Sequence, residues 1–244
     1  NCIPCGFFHQ VPIPSEDELR KLYENDYYTK EKPGFFARQE EDAEWWMMVY
    51  GDRLRWMEER LSEDRRIILD VGCGAGWFLR AAKERGWLGY GIDPSQDAID
   101  QCTPGLSVKR GYLEDYCDIV EIPEHGYHLY AVHLSEVLEH IDEPLGALKT
   151  CHSLLDTGGL ICVCVPNDFN PLQMEVRSHG NPAYWIHHTH INYFTPDSLA
   201  QLMAKAGFRV ICRTSTFPME TFILMGDNYI GNNTLGRECH RKRM

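Results

Sequence analysis

The segment RRIILDVGCGAGWFL, residues 65–79, constrains the fold of this chain more than any other part of it. Its apolar residues predict a buried parallel strand that ends at Asp70. Glycines follow at alternate positions, and a helical pattern opens at Trp77. The three glycines are Gly72, Gly74 and Gly76. A strand, a Gly-rich turn and a helix in this order let a ligand lie against bare backbone at the carboxyl end of a sheet.

The spacing of the glycines and a second acidic residue narrow the choice of ligand. A dinucleotide fingerprint needs a third glycine at the sixth position of the turn, where this chain has Trp77. This departure argues against a nicotinamide-dependent oxidoreductase, which stays open as an alternative. Asp93, in GYGIDPS, ends the next predicted strand, and a carboxylate at that place accepts hydrogen bonds from ribose hydroxyls. The pair of signals therefore favours an adenosine ligand.

From residue 66 onward the pattern alternates between strand and helix. Strands are predicted over 66–71, 87–92, 106–109, 127–134, 159–165, 208–213 and 219–225, with helices over 75–85, 95–102, 143–155 and from Thr195 to Gly207. Alternation of this kind implies right-handed crossovers between parallel strands. We therefore expect an α/β fold with a doubly wound, seven-stranded, mostly parallel sheet.

Two regions outside this alternation complete the predicted organisation. Residues 1–62 hold a Cys-x-x-Cys pair and a helical cap, which includes a long helix from Glu40 to Leu61, and residues 63–244 form the core. Within the core, residues 166–194 read as a long substrate loop, because long loops in compact domains are usually functional. Five aromatic side chains are expected to cover the ligand and the substrate: Tyr23, Tyr27, Tyr28, Phe35 and Phe36.

The composition limits the binding partners and the cellular compartment that we expect for this protein. The formal net charge of -12 disfavours nucleic acid, because such a surface repels phosphate backbones. Apolar stretches fall short of the roughly 20 residues that span a bilayer. The ten cysteines include Cys73 in the Gly-rich turn and alternating Cys162 and Cys164 on a predicted core strand, so they read as small buried hydrophobes. A cytoplasmic location is expected, and the oligomeric state is left open.

Four blocks in order carry a resemblance to a known family. After the Gly-rich turn come YAVHLSEVLEHIDEPLGALK (130–149), LLDTGGLICVCVPND (154–168) and HTHINYFTPDSLAQLMAKAGF (188–208). Together they resemble the class I methyltransferases that use S-adenosylmethionine (SAM), and within them the ubiquinone-biosynthesis O-methyltransferases. The resemblance covers about residues 15–225. One departure is Tyr130, where the family commonly has an acidic residue.

The resemblance implies a set of cofactor-binding residues. They are Arg53, Asp70, Gly72, Cys73, Gly74, Gly76, Asp93, Leu113, Glu114 and Ser135. The glycines and Ser135 would approach the methionine moiety, and Asp93 the ribose. Leu113 and Glu114 would flank the adenine. Arg53 would bind the SAM carboxylate, although a solvated helix residue is an equal alternative, and Asp70 would act through water or the amino group.

The implied reaction is methyl transfer from SAM to a small-molecule acceptor, most readily at a hydroxyl oxygen, with S-adenosylhomocysteine (SAH) as the product. His190 and His140 are the candidate catalytic bases, because imidazole titrates near neutral pH. His188 is a further candidate, and His187 reads as a surface residue. The alternative function is a partner or sensor protein that binds SAM or SAH without turnover.

Two groups of side chains raise the question of a metal. Glu136, Glu139 and His140 fall at helical spacing, and similar sets in the enzymes that the chain resembles suggest a site for a divalent cation. The alternative is that the carboxylates cap a helix and the histidine is structural. Cys2 and Cys5 look like half of a zinc ribbon whose other half is absent; the thiols would then stay unligated or become partly oxidised. Alternatively, His9 is a candidate third ligand. No metal ligand is assigned from the sequence.

Overall fold

The computed structural model describes residues 2, 5–116, 129–167, 169–178 and 189–244. The chain forms two compact units. One comprises Val11–Val165, and the other combines Asn1–Gln10 with Pro166–Met244.

The larger unit is built on a five-stranded parallel sheet. Its strands are β2 (Ile67–Val71), β3 (Leu88–Asp93), β4 (Ser107–Arg110), β5 (Leu129–Ser135) and β6 (Leu155–Cys164). The order across the sheet is β4-β3-β2-β5-β6, and every neighbouring pair is parallel. The strand order therefore reverses between β2 and β5, which is the point in open α/β sheets where ligands bind.

Helices connect these strands and supply the core. In chain order the larger unit contains α3 (Ala43–Glu58), α4 (Trp77–Glu84), α5 (Gln96–Asp100) and α6 (Pro144–Leu154). The apolar face of α3 packs on α4, and Leu54, Met57, Phe78 and Leu79 lie in a core cluster that includes Ile68 of β2. This packing fixes α3 beside the Gly-rich turn that precedes α4.

An N-terminal segment of short helices precedes α3. Helix α1 (Glu16–Lys21) begins at Ser15, whose hydroxyl and the Glu18 carboxylate form a capping box. A π-helical segment, Leu22–Glu31, follows directly, and α2 (Phe35–Glu41) completes the segment. The predicted helix from Glu40 to Leu61 is thus confirmed as α3 with narrower bounds.

The smaller unit holds a two-stranded antiparallel sheet and four helices in its described residues. Strand β1 (Phe8–His9) pairs with β7 (Asn192–Tyr193). The helices are α7 (Pro171–Ser178), α8 (Pro196–Lys205), α9 (Glu220–Leu224) and α10 (Asn233–Arg243). Pro196 stands in the first turn of α8 and Thr195 caps it, as the sequence predicts.

Three predicted features differ in the structure. Residues 219–225 were expected to form a strand, yet α9 occupies Glu220–Leu224 and Phe222 is its buried residue. Residues 208–213 form no strand, and Val210 and Ile211 are exposed, because an apolar alternation builds a strand only where a neighbouring strand pairs with it. The expected loop 166–194 contains α7 and β7.

Across the described ranges, none of the helices is both long enough and apolar enough to span a lipid bilayer.

Candidate cofactor-binding site

The Gly-rich turn lies at the carboxyl end of β2 and is held to the neighbouring strand through its backbone. The N–H groups of Gly72 and Cys73 both donate to the carbonyl oxygen of Ile92, at 2.8 and 3.0 Å. Gly74 has a φ of 53°, a left-handed conformation that favours glycine. The turn therefore presents backbone rather than side chains where β2 ends.

Asp93 faces this turn from the end of β3. One carboxylate oxygen accepts from the Gly74 N–H at 2.9 Å, and the other accepts from the Ser95 N–H at 2.9 Å. The side chain is buried, and burial raises the pKa of Asp93 to about 6, against the lowering effect of the two backbone donors. The structure thus joins the two sequence signals for an adenosine ligand by a direct hydrogen bond.

A second buried carboxylate, Asp70, pairs with His133 of β5. The two residues are register partners in adjacent strands, and His133 Nδ1 lies 2.7 Å from Asp70 Oδ1. The imidazole stacks on the Phe78 ring with a centroid separation of 3.7 Å. Burial lowers the pKa of His133 and so favours the neutral imidazole.

Arg53 of α3 reaches the same point from the opposite side. Its Nη1 lies 3.0 Å from His133 Nε2 and donates to Ser135 Oγ at 3.0 Å, and its Nη2 donates to Cys164 Sγ at 3.2 Å. Because a guanidinium only donates, His133 Nε2 must accept, and the proton of the neutral ring sits on Nδ1 facing Asp70. Arg53 therefore belongs to a hydrogen-bonded network of side chains and is not a solvated helix residue.

The π-helical segment places aromatic side chains over the Gly-rich turn. A Cβ built on Gly74 would lie 3.6 Å from the Tyr28 hydroxyl oxygen. Tyr28 in turn packs on Phe36, with ring centroids 4.6 Å apart, and on Tyr27 at 5.1 Å. Of the five aromatic side chains expected to cover the ligand, Tyr28 approaches Gly74 through its hydroxyl, and a covering role for the group stays a prediction.

His140 lies at the end of a 3₁₀ turn, Leu138–His140, beyond the carboxyl end of β5. Its Nδ1 is 2.8 Å from the Tyr23 hydroxyl, and its Nε2 is 3.8 Å from a carboxylate oxygen of the fully buried Glu139. Burial raises the pKa of Tyr23, so the phenol stays protonated. Glu136 is exposed and has a φ of 57°, so the predicted single helical face does not form.

The remaining sequence-predicted cofactor residues include two that follow β4 and one in the Gly-rich turn. Leu113 is buried and Glu114 exposed, both in the 3₁₀ turn Leu113–Asp115 that follows β4. Cys73 is buried, and the nearby Cys102 thiol donates to the Gly74 carbonyl at 3.3 Å. A cavity of about 310 Å³ opens beside Gly76 and is lined also by Phe36, Trp77 and Gln101.

The other catalytic candidates belong to the smaller unit. His190 stands two residues before β7, with its ring centroid 6.3 Å from that of Tyr193. His187 and His188, like Tyr184 and Trp185 of the expected substrate loop, lie outside the described residues.

Sequence reasoning missed His133 and the partner of His140. A signal for the first was available, since His133 and Ser135 alternate on one strand and so share a face. The contact between Tyr23 and His140 joins residues 117 positions apart, and no local pattern encodes it.

A parallel sheet with a bare-backbone turn and an adjacent acidic residue at its switch point defines a nucleoside-binding α/β protein. The sequence model of the family described as "Methyltransferase domain" matches residues 42–213. The match covers more than half of the chain, which therefore belongs to this family.

Curated relatives share part of this region. The chain is 28% identical over 108 residues to a ubiquinone biosynthesis O-methyltransferase of Coxiella burnetii, a match that covers 44% of this chain and 46% of the relative. It is 31% identical over 116 residues to the protein of the same name from Pseudomonas syringae pv. tomato, covering 45% and 48%. The matches span about half the length of these relatives.

Solved structures share the fold. A SAM-dependent methyltransferase from Archaeoglobus fulgidus superimposes with a TM-score of 0.51 at 23% identity, covering 78% of this chain and 88% of the other. The plantazolicin methyltransferase BpumL, solved in complex with SAH, gives a TM-score of 0.56 at 16% identity, covering 92% and 89%.

Proposed function

We propose that this chain transfers the methyl group of SAM to a hydroxyl oxygen of a small molecule and releases SAH. The observation that carries the proposal is the hydrogen bond between Asp93 and the Gly74 N–H, because it unites a ribose-binding carboxylate with a bare-backbone turn at the switch point of the sheet. The relatives named as O-methyltransferases support the choice of oxygen.

The residues of the turn fit an adenosine cofactor. Each oxygen of the Asp93 carboxylate accepts one backbone hydrogen bond in the structure, and an ionised carboxylate has about four acceptor sites. Capacity for both ribose hydroxyls therefore remains. A ligand reaches the Gly74 backbone once the Tyr28 hydroxyl moves aside, since that atom is the one nearest to where a Cβ would stand.

Arg53 suits the carboxylate of the methionine moiety. A guanidinium has about five N–H donors, and its bonds to His133, Ser135 and Cys164 use three of them. Within the described residues this leaves Nε–H and one Nη2–H as donors for a carboxylate. Asp70 acts indirectly here, because it fixes the tautomer of His133 that accepts from Arg53.

The cofactor supplies a sulfonium whose methyl group is already activated, so the protein's task is positioning and proton removal. Near-attack alignment of the two reactants supplies about 7–11 kcal/mol. In the proposed step the acceptor oxygen forms a bond to the methyl carbon, the carbon–sulfur bond breaks with its electron pair going to sulfur, and the hydroxyl proton passes to a histidine. His140 and His190 are the proposed bases.

We further propose a functional division into two parts. Residues 1–62 form an N-terminal Cys-x-x-Cys segment and a helical cap, and residues 63–244 form the SAM-binding core, in which residues 166–194 bind the substrate. We also propose that the protein acts on small molecules rather than nucleic acid, given its net charge of -12. A cytoplasmic location suits the thiols, since none of the cysteines in the described part of the chain forms a disulfide.

The test is incubation with methyl-tritiated SAM and a panel of small catechols, phenols and amines, followed by chromatography of the products. Label in an ether product is the expected result, and label on amines alone would refute transfer to oxygen. Calorimetric titration with SAH runs in parallel, with Asp93→Asn as the comparison protein. Tight SAH binding without label on any compound would favour the non-catalytic sensor instead.

A further inference from the structure

Three potential metal ligands meet at the start of the smaller unit. One ligand atom from each of Cys2, Cys5 and His9 lies within 4.8 Å of the other two. The backbone folds back to bring them together, because the Cys2 carbonyl accepts from the Gly6 N–H at 2.8 Å and the Cys2 N–H donates to the Phe7 carbonyl at 2.9 Å. Gly6 makes the reversal with a φ of 85°.

The imidazole of His9 is already oriented by a second residue. His9 and Asn192 are register partners between β1 and β7, and His9 Nδ1 lies 2.7 Å from Asn192 Oδ1. Because an amide oxygen only accepts, the proton of the neutral ring is on Nδ1, and Nε2 carries the lone pair. Asn192 is 1% exposed, so its position is fixed by packing. Metal-binding histidines have this arrangement, in which the second ring nitrogen donates to a protein oxygen.

The donor set selects the metal. Two thiolates and one imidazole suit Zn²⁺, which takes sulfur at about 2.3 Å and nitrogen at about 2.0–2.1 Å in a tetrahedron. Ligand atoms in such a tetrahedron are about 3.4–3.8 Å apart. The ligand atoms all lie within 4.8 Å of one another, so an approach of about 1.4 Å at most brings them to tetrahedral separations.

We propose that Cys2, Cys5 and His9 form a zinc site, with Asn192 as the residue that positions His9. A water molecule can fill the fourth coordination position. The consequence is structural: β1 contributes two residues to its ladder with β7, and short two-stranded sheets are marginal in water. A metal bound to His9 and to the cysteines would cross-link β1 to the turn before it.

The experiment uses the full chain, stripped with a chelator under reducing conditions and titrated with Co²⁺ as a spectroscopic substitute for Zn²⁺. The expected result is one equivalent bound, with thiolate-to-cobalt charge transfer for two thiolates and intense visible bands of a tetrahedral ion. Zn²⁺ then displaces the Co²⁺. Octahedral cobalt without charge transfer, or no binding, would overturn the proposal.

Variants test each ligand. Cys2→Ser and Cys5→Ser should abolish the charge-transfer bands, whereas Cys212→Ser, at an exposed cysteine elsewhere in the same unit, should leave them intact. His9→Ala should alter the visible bands and weaken binding at least tenfold, and Asn192→Leu should weaken it about 10–100-fold. Unchanged spectra and affinity in His9→Ala would show that the histidine is not a ligand.

The outcome is separate from that of the proposed methyl transfer. SAH affinity, measured on the same stripped and zinc-loaded samples, reports on the larger unit, whose cofactor residues are distinct from these ligands. Circular dichroism of the variants separates loss of metal from loss of fold. Loss of cobalt binding with retained helical signal in Cys5→Ser supports the zinc site, and retained cobalt binding in that variant contradicts it.

Discussion

His133 Nδ1 lies 2.7 Å from Asp70 Oδ1, and these register partners on β5 and β2 are 1% and 3% exposed, respectively. Since Arg53 donates to the other ring nitrogen, the two contacts set both the tautomer of His133 and the direction of the guanidinium. A buried pair on the sheet thus orients a half-buried cation on a helix.

Replacing Arg53 tests the consequence for the cofactor. Arg53→Met should weaken SAH binding by about 10–100-fold, because hydrogen bonds to a charged group contribute about 1.5–3 kcal/mol. Titration calorimetry measures the change. The same variant should bind 5′-methylthioadenosine normally, since that ligand has no carboxylate.

Arg55→Met is the matched control, on the same helix with an exposed side chain that pairs with Asp52. It should leave both affinities unchanged. An equal loss for both ligands in Arg53→Met would mean that Arg53 supports the site without contacting the carboxylate.

The raised pKa of Asp93 predicts that stability falls as the pH rises. The folded-state pKa of about 6 exceeds the ordinary value of 3.8, so the folded protein favours the protonated carboxyl. The stabilising contribution is complete below about pH 4 and is lost as the pH rises through 6, amounting to about 3 kcal/mol. Urea unfolding between pH 4 and 7.5 measures it, with Asp93→Asn as the non-titrating reference.

Cofactor affinity should change in the opposite direction. Ionised Asp93 accepts from both ribose hydroxyls, whereas the protonated group loses one acceptor site and gains a donor. SAH affinity should therefore rise with pH through about 6 in the native protein and stay flatter in Asp93→Asn. A parallel pH dependence in the two proteins would assign it to another group.

Substitutions at two glycines distinguish the effect of backbone strain from the loss of a contact with the ligand. Gly74→Ala should destabilise the fold by about 1–2 kcal/mol, because the φ of 53° is left-handed, and should also weaken SAH binding at least about tenfold by placing a methyl group in the cradle. Gly86→Ala carries similar strain at a φ of 81°, with no heavy atom within 4 Å of the new Cβ.

The two variants should therefore lower the urea midpoint alike, and only Gly74→Ala should reduce affinity. If Gly86→Ala reduced SAH binding as strongly, the loss would come from general destabilisation, and the turn would not be the contact surface.

His140 can be tested as the base once an acceptor is found. His140→Gln should lower kcat by about 10²–10⁴-fold at unchanged SAH affinity, because general base catalysis contributes that much. Tyr23→Phe should cost less, about fivefold, the value of one hydrogen bond of about 1 kcal/mol to His140 Nδ1.

His152→Gln, on the exposed side of α6, is the control and should keep native kcat. A native rate in His140→Gln combined with a large loss in His190→Gln would move the base to the smaller unit.

The sequence by itself determined the order of strands and helices from residue 67 to 164 and the identity of the turn. These features are local, because the apolar runs, the glycines of the turn and the carboxylates that end β2 and β3, Asp70 and Asp93, are patterns of neighbouring residues. The 208–225 region shows where local patterning fails. Its apolar residues alternate as in strands, but no strand among the described residues pairs with them, and they form an exposed segment and α9.

Only the tertiary structure decided which side chains meet. His133 becomes a site residue because β5 lies beside β2, and Tyr23 reaches His140 across 117 positions. In the smaller unit, His9 gains a fixed tautomer because β1 pairs with β7 and brings Asn192 opposite it. Sequence spacing specifies contacts along one helix or strand. Hydrogen bonds between distant elements depend instead on how those elements pack, because packing sets the donor–acceptor distances and thereby which atom carries the proton.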